Sequence, residues 1–393
     1  MINKISDFLN QFDLDVRKTN DARFMDQKCT PDVVCFIADC IVNVVHGNET
    51  FAVDTIWDSF YFSKNVRAIY NKPSANEQTA RHEYDKFIQQ PLRMLASAHV
   101  LNIWKDGNKN LYSINNPEIL DYIAIKERNA YQFLTIYLEK VLRDSGQWDA
   151  FKSYFDAPSE DSYMELRDKF IRFMKGHTAI NTPVEVRRIF PKILNVFAVE
   201  FHINGSERGH MSKFAFSFSD LMYNRENWRD VGKDKSETRQ QAATEEETAS
   251  TEAFNAYYVQ KAIGQIRKIH KGQSEVHDQW GTGEATQVHH IFPKSQYPSI
   301  ATYLENLILL TATQHNTKAH PHNNTQIVDK DYQLVCLLAK SDSIEKSIKK
   351  YGETYYNKSL FLYVIYVGLN ENILPDASFD DIRRKLIYLY NAA

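Results

Sequence analysis

The stretch QVHHIFPKSQYPSIATYLENLILLTATQHNTKAHPHNNT, Gln287–Thr325, decides how this chain is read. Val288, Ile291 and Phe292 form a short apolar run that predicts a strand, and Pro293 ends it by withholding a backbone N–H. A polar loop with Tyr297-Pro298-Ser299 follows, and Leu307–Leu310 predicts a second strand. Thr311 or Thr313 then offers the oxygen that caps a short helix carrying His315 and His320. Successive side chains leave a strand by opposite faces, so His289 and His290 are set for different tasks. One imidazole can face a metal ion while its neighbour stands beside it as a base.

The histidine distribution gives the same stretch weight. Of thirteen histidines, seven (270, 277, 289, 290, 315, 320 and 322) crowd into 53 residues. Histidine is the commonest metal ligand and the side chain that titrates nearest neutral pH. Spacing singles out His289, His290, His315 and His320, whereas His270, His277 and His322 read as surface residues.

The ordered set His289-His290, Asn306-Leu307 and His315, nine positions after Asn306, resembles the His-Asn-His (HNH, or ββα-metal) nuclease motif over about 40 residues. The resemblance implies His289 and His315 as metal ligands, with His290 as the general base that takes a proton from the attacking water. It implies Asn306 as the residue that holds the His290 loop and ring, and His320 as a third ligand or a phosphate contact. The cofactor it implies is a divalent metal ion, Mg2+ first, with Mn2+ or another transition metal admitted by the imidazole ligands. Many relatives carry two Cys-x-x-Cys pairs around this motif. Here Thr311 and Gln314 occupy positions where those cysteines often lie, so packing must brace the module, with helices at 254–270 and 326–350 as candidates.

Working outward, the chain reads as α+β and predominantly helical. In the first third, Asp32–Val45 is apolar nearly all round and predicts a buried helix after Pro31. Within Ala75–Ala98, Tyr84, Phe87, Ile88, Leu92 and Leu95 mark one apolar face, and Pro91 predicts a kink or a division into two helices. Val100–Ile114 holds two β-prone runs flanking Asp106-Gly107, which predicts a hairpin. Helix, helix, hairpin is the order of a winged helix-turn-helix. On that reading Arg81, His82, Lys86 and Gln89 face a DNA groove, and Lys105 and Lys109 sit on the wing near phosphates.

Asn129–Arg143 and Tyr163–Met174 predict further helices. Ile193–Ile203 and the alternating Phe214–Phe218 predict strands, with Phe214, Phe216 and Phe218 on one face. Arg225 and Arg229, interleaved with Asn and aromatic residues in MYNRENWRD, suit base and phosphate contact. The expected organisation is therefore a winged-helix domain over 1–128, a mixed helix/strand region over 129–229 and an acidic linker or solvated helix over 230–253. An HNH module over 254–325 and a helical segment over 326–393 complete it.

Composition bounds the function classes. The 393 residues carry 47 Lys/Arg and 50 Asp/Glu, a net charge of −3, so the whole chain makes no case for a polyanion partner. Locally the balance differs. Residues 60–112 have eight Lys/Arg against four Asp/Glu, residues 167–229 eleven against six, and residues 230–252 three against seven. Four cysteines with no Cys-x-x-Cys pair argue against a disulfide framework or a four-cysteine zinc site. The start lacks the apolar core of a signal peptide and no stretch reaches the ~18 apolar residues of a membrane span, so a cytoplasmic protein with no membrane partner is expected.

A basic front portion ahead of a cutting module resembles HNH-type type II restriction endonucleases. That resemblance implies a site-specific, double-stranded DNA endonuclease leaving 5′-phosphate and 3′-hydroxyl ends, acting as a homodimer because one site cuts one strand. A modification-dependent or antiphage nuclease shares the same residues, and a non-catalytic DNA-binding regulator that keeps the fold is the remaining alternative.

Overall fold

The computed structural model describes residues 1–47, 49–70, 81–223, 239–320 and 328–391, with side chains outside 81–83 and 239–254. Arg225, Arg229 and His322 lie outside the described residues, as do residues 230–238 of the acidic segment and the side chains of Arg81 and His82. The fold is predominantly helical, with three two-stranded antiparallel sheets among the described residues. Contacts divide the chain into two compact units, Met1–Thr244 and Glu245–Ala393, with the division inside one long helix, Arg239–His270.

The front unit is built on the helix Pro31–Val44, whose residues Pro31 to Ile41 are all buried. Such a helix must be surrounded, and Pro117–Ile125 and Glu127–Asp144 pack along it. The helix Arg81–Ser97 passes through Pro91 as one element, not two. Its apolar face, Tyr84, Phe87, Ile88, Leu92 and Leu95, is fully buried, and that burial holds the helix together across the hydrogen bond Pro91 cannot donate. The hairpin follows as expected: Leu101–Asp106 pairs with Lys109–Ile114 in register from Leu101↔Ile114 to Asp106↔Lys109. Gly107 turns the chain at φ +57°, a conformation that favours glycine.

Two strand expectations in this unit are corrected. Ile193–Ile203 is not a strand, because a helix spans Pro183–Glu200. Val186, Ile189, Phe190, Ile193, Leu194 and Phe197 recur at three- and four-residue steps and are all buried. That helical period outweighs the β-branched composition, and Pro183 opens the helix at its first turn. The strand near Phe214–Phe218 is His210–Ala215, and the phenylalanines do not share a face. Phe214 is 82% exposed while Phe216 is 9% exposed. The chain leaves the ribbon after Ala215, and the Phe216 ring sits over Gly205, where a Cβ would stand 2.8 Å from it.

The back unit has one continuous apolar core. It joins Ile266 of the long helix and the strand Leu307–Thr311 to the helices Lys330–Tyr351, Lys358–Leu369 and Phe379–Asn391. All five residues of Leu307–Thr311 are buried. This strand pairs antiparallel with Ala285–His290, setting His289 opposite Ile308 and His290 opposite Leu307. The last helices brace the loop between the strands. The Phe292 ring packs on Gly368 so tightly that a Cβ there would stand 2.3 Å away, and Gln333 Nε2 donates to the Ile291 carbonyl at 2.7 Å. Among the described residues no helix is long and apolar enough to cross a membrane, and all four cysteines are buried free thiols.

Candidate metal centre

His289 leaves the end of a strand whose partner is wholly buried, and is itself 3% exposed. His315 lies within Gln314–Ala319, which forms a π-helical turn, and His320 is the residue that closes it. The turn type matters for the site. In an α-helix, residues five apart point about 140° away from each other. Here the His320 N–H donates to the His315 carbonyl at 3.0 Å, the i→i+5 closure of a π-turn, which brings the two imidazoles to one side. The cap comes from Thr311, whose Oγ accepts from the Gln314 N–H at 3.2 Å.

The ligand nitrogens of His289, His315 and His320 all lie within 4.8 Å of one another. Ring centroids are 4.7 Å apart for His289–His320, 4.8 Å for His315–His320 and 5.5 Å for His289–His315. Nitrogens bound at about 2.0–2.1 Å to one ion stand roughly 3–3.5 Å apart, so inward motion of about an ångström closes the set on a metal. His315 Nδ1 is engaged by Asn316 Oδ1 at 2.8 Å, which gives Nδ1 the hydrogen and leaves Nε2 as the ligand atom. Burial, with repulsion from the neighbouring histidines, holds His289 well below the usual imidazole range. Burial also lowers His315. Both rings are therefore neutral near pH 7, the form that coordinates a metal.

His290 shares the cavity but not the cluster. The four histidines line a volume of about 420 Å³ together with Lys294, Ser295 and neighbouring residues. His290 Nε2 lies 3.0 Å from the Ala301 carbonyl. A carbonyl only accepts, so Nε2 carries the hydrogen and Nδ1 keeps its lone pair. Burial lowers its pKa, as does the nearby Lys294 ammonium, against the opposing pull of the Ala301 carbonyl. The result is a neutral imidazole with a fixed tautomer and one basic nitrogen.

Asn306 is fully buried and clamps the loop that carries Ala301. Its Oδ1 accepts from the Phe292 N–H at 2.9 Å, and its Nδ2 donates to the carbonyls of Phe292 (3.1 Å) and Ile300 (3.2 Å). It thus acts on His290 through the backbone, with no hydrogen bond to the ring itself.

Several residues of consequence escaped the sequence reading. Gln314 is a buried hub. Its Oε1 accepts from the Thr311 N–H (3.0 Å) and Ser274 Oγ (2.6 Å), and its Nε2 donates to the Val276 carbonyl and Asp278 Oδ1, both at 2.9 Å. These bonds tie the segment before the histidine strand to the π-turn after the second strand. His270, expected at the surface, is corrected to a half-buried member of a charged network. Its Nε2 is 2.8 Å from Tyr356 Oη and 3.2 Å from Glu275 Oε1. Lys340, fully buried, donates to both Glu275 oxygens at 3.1 and 2.8 Å. The only sequence signal for this group was a lysine on the apolar side of a helical pattern. His277 is exposed, as expected.

The residues assigned to DNA in the front unit divide. Lys86, Gln89 and Lys105 are exposed, the first two opposite the buried face of their helix. Lys109 is exposed but paired with Asp54 at 2.9 Å. Compared with protein-family models, curated proteins and solved structures, the chain has no significant match.

Proposed function

We propose that this chain is a metal-dependent endonuclease of the HNH type, hydrolysing phosphodiesters of double-stranded DNA to 5′-phosphate and 3′-hydroxyl ends. The observation that carries the reading is a division of labour in one cavity. Three imidazoles converge within 4.8 Å as a ligand set, and a fourth, His290, has Nε2 tied to Ala301 and Nδ1 left basic.

His289, His315 and His320 would hold the ion. Their all-imidazole chemistry suits a transition metal such as Mn2+, Ni2+ or Zn2+ better than Mg2+, which takes oxygen ligands and keeps its waters. When bound, the ion supplies charge neutralisation at a phosphate oxygen and at the departing 3′ oxygen. His290 Nδ1 takes the proton of a water as that oxygen bonds to phosphorus and the bond to the 3′ oxygen breaks, and the departing 3′ oxygen takes a proton from solvent water to become the hydroxyl. A base placed in this way contributes about 10²–10⁴ in rate. Asn306 keeps the Ala301 carbonyl, and with it the His290 tautomer, in position.

Target reading falls to the front unit. The helix Arg81–Ser97 followed by the ribbon Leu101–Ile114 supports a winged helix-turn-helix. Its exposed Lys86, Gln89 and Lys105 suit contact with a groove and phosphates. A homodimer would bring two single-strand cutters to one duplex.

Digestion of methylated and unmethylated plasmid and phage DNA with Mg2+, Mn2+, Ni2+ or Zn2+ tests the proposal. Discrete fragments from unmodified DNA are expected, and cutting confined to modified DNA would identify a modification-dependent enzyme. His290→Ala should lower cleavage about 100-fold or more while DNA binding persists. Equal cleavage by that variant would remove His290 as the base, and no cleavage with any metal would leave a DNA-binding regulator.

A further inference from the structure

The cavity that holds the four histidines has a cationic rim that no role above requires. We propose that Lys294 is a phosphate-binding residue of the cleft, its ammonium holding a non-bridging oxygen of the nucleic-acid backbone beside His290. The proposal rests on the endonuclease reading for its substrate class, and it assigns a residue that the histidine pattern does not.

Three observations support it. Lys294 lines the same cavity as His289, His290, His315 and His320, and none of the eight residues lining that cavity is acidic. Lys294 is the only lysine or arginine among those lining residues, so with no carboxylate opposing its ammonium the site attracts an anion. Among the described residues Lys294 makes no hydrogen bond or ion pair, whereas Lys109, Lys140 and Lys340 are each matched to a carboxylate. An exposed lysine without a carboxylate beside it retains its full attraction for a phosphate.

The third observation is rigidity. Lys294 lies inside a turn closed by the Gln296 and Tyr297 N–H groups donating to the Pro293 carbonyl at 3.0 and 2.9 Å. The residue just before that turn, Phe292, is clamped on both backbone groups by Asn306. The root of the lysine is therefore held by the same residue that supports the His290 tautomer. A phosphate seated on Lys294 is registered against the base without help from the metal ligands. The ammonium neutralises charge on the phosphate and transfers no proton.

Fluorescence anisotropy of a labelled 30-base-pair duplex without divalent metal, between about 50 and 200 mM salt, tests this apart from cleavage. Lys294→Ala is expected to weaken binding about tenfold and to lower the salt slope by about one, with Lys294→Arg keeping the slope. Identical affinity and slope for wild type and Lys294→Ala overturn the assignment, even if wild type cuts DNA. Wild type that binds with the lysine-dependent slope but never cuts keeps the phosphate contact and removes the nuclease reading. Wild type that does not bind the duplex at all overturns both. Circular dichroism of the variants and their Mn2+ affinity, both expected unchanged, exclude a folding or metal defect.

Discussion

The ribbon Leu101–Ile114 of the front unit and the ribbon Ala285–Thr311 of the back unit share a topology and little else. Each is a two-stranded antiparallel pair in which a residue from outside the pair bonds the outer edge of one strand. In front, Phe51 exchanges backbone hydrogen bonds with Tyr112 at 2.9 and 2.8 Å. Behind, the Glu275 N–H donates to the Leu309 carbonyl at 3.0 Å and its carboxylate accepts from the Leu309 N–H at 2.9 Å. The front strands meet across Gly107-Asn108, and all of Leu101–Asp106 after Leu101 is exposed. The back strands are separated by sixteen residues, and their second strand is buried throughout. The front ribbon stands in water on a tight turn. The ribbon that carries His289 and His290 has a core behind it, and its long loop carries the Asn306 clamp and Lys294.

The largest effect that tests this contrast is on the buried strand. Leu309→Ala removes a fully buried side chain from the core shared with the C-terminal helices. Large-to-small changes of this kind cost about 2–5 kcal/mol. Urea denaturation of the variant should show that loss, and a loss below about 1 kcal/mol would mean that the histidine hairpin does not depend on the core behind it.

The edge residue Glu275 gives a pH-dependent test. Burial lowers His270 to about 4, against the opposing pull of Glu275. Between the unfolded value of about 6.5 and pH 4 the unfolded chain therefore binds the proton that the folded chain refuses. Stability is full above pH 6.5 and declines as the pH falls towards 4, by up to roughly 3 kcal/mol from this one ring. Replacing it, His270→Gln, should flatten that part of the stability profile measured in urea. A profile unchanged by the substitution would place the proton uptake on another group.

The same contrast explains what could be read from the amino-acid order. Apolar periodicity marked the front helices, two β-prone runs around Asp106-Gly107 marked the front hairpin, and the continuous apolar run Leu307–Leu310 marked the second back strand, because each signal is local in sequence. Ile193–Ile203 failed because β-branched composition was weighed ahead of a helical period that had begun at Val186. Spacing could nominate His289, His290, His315 and His320, but it could not supply the π-turn that swings His320 beside His315, since that depends on one i→i+5 hydrogen bond. Nor could it supply the Ala301 carbonyl that sets the His290 tautomer, or the Gln314 hub, which join backbone atoms far apart in sequence. Long-range polar pairing leaves no periodic trace. For the same reason Glu275 and Lys340, 65 residues apart, could not be matched in advance.

On the front ribbon, effects move from stability to binding. Lys105→Ala combined with Lys109→Ala should weaken duplex binding about tenfold and reduce the salt slope by one to two. The share from Lys109 is the smaller, because Asp54 already holds its ammonium at 2.9 Å. An unchanged slope would take this ribbon out of the DNA interface.

The smallest expected effect is the sharpest comparison with Leu309. Trp104 is a larger side chain than leucine, yet it stands 41% exposed on a strand whose other residues after Leu101 also face water. Trp104→Ala should change stability by no more than about 0.5 kcal/mol, as for substitutions that leave no cavity. If urea denaturation instead shows a loss near that of Leu309→Ala, the indole is covered in solution by a surface that the described residues of the front unit do not place over it, and the front ribbon is an interface already formed. A small change in stability joined to weaker DNA binding would give Trp104 the amphipathic role its position suits, a ring free to pack against a sugar or base edge while Lys105 beside it meets a phosphate.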